Sequence, residues 1–100
     1  MSVYLMLTTL TDAGRKALQE DPEILKEFNQ ETEYMGVKIL TQYALLGQYD
    51  FVNIVDAPNN EAVAKLAIRL SARGTTQTLT LAAISIDDLI ATLKEREQPW

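Results

Sequence analysis

Neither cysteine nor histidine occurs among the 100 residues. Without thiols the chain has no disulfide framework, no thiolate nucleophile and no thiolate metal site. Without imidazole it lacks the usual general base near neutral pH, the usual neutral metal ligand and every Ser-His-Asp arrangement. Positive charge is scarce as well: nine bases face fourteen acids, for a formal net charge of −5, and no stretch concentrates Lys or Arg. A surface of that sign repels phosphate backbones and anionic lipid, so nucleic acid and membrane are excluded as expected partners. The apolar start "MSVYLMLTTL" lacks the basic flank of a signal peptide and falls short of the roughly 20 residues of a membrane span. It reads as a strand, and the expected compartment is the cytoplasm.

What remains is ordinary globular material, 47% apolar and 23% charged, sized for one domain over residues 1–100. A chain this short buries a small share of its surface, so association with a second copy would help its stability. Val3 to Thr9 alternates Val3, Leu5 and Leu7 against Tyr4, Met6 and Thr8. Thr11 or Asp12 caps a helical piece through Leu18, and Asp21-Pro22 restarts the helix. Ile24, Leu25, Phe28, Thr32 and Met35 then recur at helical spacing up to Gly36. "VKILTQYALL" and "DFVNIV" form a hairpin whose connection, of about four residues, holds Gly47.

Asn59 or Asn60 caps a helix with Val63, Leu66, Ala67 and Leu70 on one face, ended by Gly74. "TTQTLTLAA" alternates Leu79, Leu81 and Ala83 against Thr76, Thr78 and Thr80. Ser85, with Asp88 three residues on, caps a final helix carrying Ile86, Leu89, Ile90 and Leu93. The order β-α-β-β-α-β-α implies an α+β, ferredoxin-like βαββαβ unit with an antiparallel four-stranded sheet plus a C-terminal helix.

Two crossover helices cover one sheet face, and alternation predicts the other to hold Tyr4, Met6, Thr8, Ile39, Thr41, Tyr43, Phe51, Asn53, Val55, Thr76, Thr78 and Thr80. A bulge in the second strand would exchange Ile39 and Tyr43 with Leu40 and Ala44. A face with that many large apolar groups marks an interaction surface. A two-fold contact needs only one self-complementary patch, so a homodimer or larger ring of dimers is expected, with an interface of roughly 2,000 Å² or more.

Tyr43, the run Gly47-Gln48-Tyr49-Asp50, Pro58 and the later "GTTQTLTLAA" resemble the GYD family of small bacterial proteins, in the dimeric α/β-barrel group, over almost the whole chain. The resemblance implies a face-to-face dimer of sheets and says little about activity.

For Gly47, Tyr49 and Asp50 two readings stand. In one, Gly47 supplies a positive φ, Tyr49 packs over one end of the barrel and Asp50 accepts turn amides. In the other, Tyr49 and Asp50 sit at a cavity mouth, Asp50 as base or orienting group, with Tyr49 or Tyr43 donating a hydrogen bond. Asn53 needs partners if buried, either across the dimer or on a ligand. The candidate ligand-binding set is therefore Tyr4, Met6, Tyr43, Tyr49, Asp50 and Asn53, around a small organic molecule, with Tyr49 and Asp50 as catalytic candidates.

No motif calls for a cofactor or a metal. Barrels that oxidise aromatic substrates without cofactor combine Asn, Trp and His, a set this chain cannot assemble. Tyr4 and Phe51 occupy base-stacking positions of RNA-recognition folds, but "DFVNIVD" is flanked by acids where that motif needs bases and glycine. Met6 and Met35 read as core filler. Trp100 either frays in solvent or tucks into a neighbouring subunit. The expected function is a small-molecule binding or sensing module, with a cofactor-independent isomerase or oxygenase, or a purely structural assembly subunit, as alternatives.

Overall fold

A computed structural model describes residues 2–95; Trp100 lies outside the described residues. The elements are β1 (Ser2–Leu10), α1 (Asp12–Glu20), α2 (Ile24–Tyr34), β2 (Lys38–Ala44), β3 (Phe51–Ala57), α3 (Asn60–Ser71), β4 (Thr76–Ala83) and α4 (Ile86–Lys94). All strand pairs are antiparallel, in the order β2-β3-β1-β4. This is the ferredoxin-like α+β arrangement, with α2 and α3 packed on one face of the sheet.

The helix starts follow local chemistry. Thr11 Oγ1 accepts the Gly14 N–H at 3.1 Å, the Asn59 side chain accepts from Ala62, and Ser85 Oγ accepts from Asp88 at 3.1 Å, each satisfying a donor that the first turn leaves free. The restart at Asp21-Pro22 comes slightly later than the proline pattern predicts. Asp21 Oδ1 accepts the Glu23 N–H, and three successive i→i+3 bonds, from Ile24, Leu25 and Lys26 back to Asp21, Pro22 and Glu23, make a tight turn leading into α2. Two separate helices therefore fill the first crossover. The β2–β3 connection runs from Leu45 to Asp50, longer than the four residues expected.

One expectation is overturned. Tyr4 and Met6, predicted on the uncovered face, are each only 3% exposed and cluster with Val63 and Leu66 of α3. Their cross-strand neighbours go with them: Asn53 and Val55 on β3, Thr80 and Ala82 on β4, and Thr78 follows as the partner of Thr8. Thr8, Ile39, Phe51 and Thr76 also lie on the helix side. Period-two alternation groups residues by face but does not say which face the helices choose. The bulge in β2 is present, between Ile39 and Thr41. It leaves Thr41 and Tyr43 on the open face while Ile39 points under the helices.

The open face thus belongs to the other set. The register aligns Thr41, Ile54, Leu5 and Leu81 in one row across all four strands, and Tyr43, Val52, Leu7 and Leu79 in the next. Leu79 and Leu81 are each 44% exposed. In α4 every residue is exposed, including the stripe of Ile86, Leu89, Ile90 and Leu93.

Candidate functional site

The quartet Gly47 to Asp50 shapes the end of the sheet. Gly47 has φ +117 with nothing near its absent Cβ, a backbone state that side-chain-bearing residues rarely adopt. Asp50 is used at three atoms: its N–H donates to the Thr8 carbonyl at 2.9 Å, its carbonyl accepts from Leu45 at 2.7 Å, and its Oδ2 accepts the Leu10 N–H at 2.7 Å. The carboxylate thereby ties the β2–β3 connection to the last residue of β1. Tyr49, beside it, is half-buried.

Behind this corner, between the sheet and helices α2 and α3, lies a cavity of about 210 Å³. Its walls include Leu25 and Phe28 of α2, Leu66 of α3, and Ile39 and Val55 of the sheet. Its polar side chains are those of Thr8, Thr32, Thr76 and Thr78 and the amides of Asn29, Gln42 and Asn53. The amides form one network. Asn29 Nδ2 donates to Gln42 Oε1 at 2.9 Å, Gln42 Nε2 returns a bond to Asn29 Oδ1 at 2.9 Å, and it also donates to Asn53 Oδ1 at 2.6 Å. Gln42 is exposed, which puts this network at the cavity mouth. Among the described residues, no Asp, Glu, Lys, Arg or Tyr lines this space.

A charged clamp spans the helices beside it. Glu31 of α2, whose side chain is 14% exposed, accepts from Arg69 Nε at 3.0 Å and also pairs with Arg73. Arg73 in turn lies over the Phe28 ring, 5.5 Å from its centroid, a favourable stacking of cation on π-face.

The expected site residues are thus distributed. Met6 and Asn53 line the cavity. Tyr4 is buried nearby, with its hydroxyl donating to Asn60 Oδ1 at the start of α3. Tyr43 is 63% exposed on the open face, opposite Val52. Tyr49 and Asp50 stand at the corner next to the cavity rather than in its lining. Asn29 and Gln42 were missed. Asn29 had a readable signal, since Leu25, Asn29 and Thr32 follow i, i+4, i+7 on the face α2 turns inward; Gln42 had a conditional one, because only the bulge allowed for in β2 brings it to the face of Met6 and Asn53. Among the described residues no cluster of three or more Asp or Glu is placed to hold a metal ion, and no helix is long and apolar enough to cross a membrane.

Comparison with known proteins adds three findings. The family model described as GYD domain matches residues 4–93. A protein of Thermus thermophilus named "Glutamine synthetase and cystathionine beta-lyase binding protein" is 48% identical over 95 residues, covering 94% of this chain and all of that protein. No solved structure matches the chain.

Proposed function

The chain belongs to the GYD domain family, and from that premise we propose that it is a cytoplasmic binding and sensing module. In this reading it pairs face to face with a second copy, docks on metabolic enzymes and accepts a small organic molecule. The observation that carries the proposal is the 48% identity, over 94% of this chain, to a protein named for the two enzymes it binds. Glutamine synthetase and cystathionine β-lyase are accordingly the first partners to test.

Self-association has its own support. The open face has the anatomy of an interface, an apolar centre with a polar rim: rows of Leu, Ile and Val lie between the Thr9 and Gln77 pair at one end and the Lys38 and Asp56 pair at the other. A two-fold axis through the centre of the face satisfies both sheets at once.

The reading as a cofactor-independent isomerase or oxygenase draws no support from a specific observation. It needs a free carboxylate facing a pocket, and the Asp50 carboxylate holds the Leu10 N–H. The test of the proposal mixes the purified chain with glutamine synthetase and with cystathionine β-lyase of its own organism, followed by native mass spectrometry. The expected result is a dimer alone and a discrete complex with at least one enzyme. A lone monomer that captures neither enzyme would overturn it.

A further inference from the structure

We propose that the cavity between the sheet and helices α2 and α3 is the small-molecule site, and that its ligand is an uncharged, ring-sized apolar group ending in a planar carboxamide-like head. The inference rests on the reading of this chain as a small-molecule binding module, and it moves the ligand from between two sheets to within one subunit.

Size sets the first bound. An apolar cavity of about 150 Å³ holds benzene, and this one is about 210 Å³, enough for a six-membered ring and a head group of a few heavy atoms. The walls set the second, because Leu25, Phe28, Ile39 and Val55 offer only carbon surface, which favours burial of an apolar body.

The head group follows from the amide network. Gln42 Nε2 spends its hydrogens on Asn29 Oδ1 and Asn53 Oδ1, and Gln42 Oε1 receives from Asn29. Asn53 Oδ1 is thereby oriented toward Gln42, and the Asn53 NH₂ makes no protein hydrogen bond among the described residues. The ligand carbonyl takes that donor. Its own NH₂ finds an acceptor in the hydroxyls of Thr8 and Thr78, which line the same space. A threonine hydroxyl both donates and accepts, so the match is with a group that does both.

Charge sets the last bound. A carboxylate or ammonium buried in this space would shed its hydration with no counter-charge among the described lining residues, a large cost for an unpaired ion. Zwitterionic amino acids are excluded for the same reason.

The experiment uses the full chain, labelled with nitrogen-15 and methyl carbon-13, and four probes of one shape: benzamide, benzoate, benzylamine and benzene. Each is added to about 10 mM, enough to nearly saturate a site with a Kd of about 1 mM. Benzamide is expected to shift the side-chain amide signals of Asn29, Gln42 and Asn53 and the Met6 methyl, benzene to shift the methyl alone, and the two ions to shift neither. Asn53→Leu and, separately, Thr78→Val should each weaken benzamide binding about tenfold or more, a change of about 1.4 kcal/mol. Equal binding of benzoate, shifts centred on Leu5 and Leu81, or no response to benzamide would overturn the assignment. Native mass spectrometry of the same samples reads the dimer independently, so loss of the cavity proposal and loss of the pairing proposal give different results.

Discussion

Gln42 Nε2 and Asn53 Oδ1 meet at 2.6 Å across strands β2 and β3, a contact that exists because the irregularity between Ile39 and Thr41 turns Gln42 under the helices. Gln42 also carries the two bonds to Asn29, so one exposed side chain links sheet to α2. Gln42→Ala should lower stability by about 1 kcal/mol, the usual net worth of such bonds at a partly wet site. Urea titration measures it. A variant as stable as the parent would mean that the network does not hold α2 to the sheet.

The Asp50 carboxylate supports the same corner from outside the cavity. Asp50→Ala removes an ionised acceptor from the Leu10 N–H and should cost about 2 kcal/mol. Asp50→Asn retains an acceptor of the right shape and should recover about half of that. Benzamide binding by the folded protein should be unchanged in both. A loss of binding with intact stability would instead give Asp50 a direct part in the site.

How much of this could be read beforehand is clearest strand by strand. The triplets Val3–Leu5–Leu7 and Tyr4–Met6–Thr8 were legible as two faces, and so were the caps at Thr11, Asn59 and Ser85, because each depends on neighbours in the chain. The choice of face was not. Alternation put the threonines at 76, 78 and 80 on the helix-free face, yet they sit on the side that α2 and α3 cover, where hydroxyls line a cavity. That preference is set by the shape of α2 and α3 against the sheet, a long-range fact that no local spacing encodes. Asn29 meets Gln42 only after the chain has turned through Gly36 and passed the bulge, so their pairing was equally hidden. The element order β-α-β-β-α-β-α implied the ferredoxin-like sheet without implying these contacts.

Two glycines separate backbone strain from packing. A Cβ at Gly14 would lie 2.0 Å from the Thr75 carbonyl oxygen, which itself accepts the Thr11 N–H at 3.0 Å and cannot move without breaking that bond. Gly14→Ala should therefore cost about 3 kcal/mol, at the upper end for overpacking. Gly47 has open space but φ +117, so Gly47→Ala should cost about 1–2 kcal/mol through the backbone alone. Thermal unfolding distinguishes them, with Gly14→Ala the lower of the two. The reverse order would mean that α1 shifts away from Thr75 at little expense.

Neighbouring residues on β1 provide the sharpest contrast, because Leu5 and Met6 differ only in the face they occupy. Leu5 lies between Ile54 and Leu81 at the centre of the open face, only partly buried in the single chain. Met6 is 3% exposed beneath α3. A glutamate at position 5 meets water in a lone chain but loses several kcal/mol of hydration when two sheets close over it. Leu5→Glu should therefore yield a folded monomer by light scattering, with circular dichroism like that of the parent. Met6→Glu buries the charge within the subunit itself and should prevent folding at neutral pH. If Leu5→Glu remained a dimer, the sheets would not be what joins the two copies, and the exposed stripe of α4 would be the next surface to mutate.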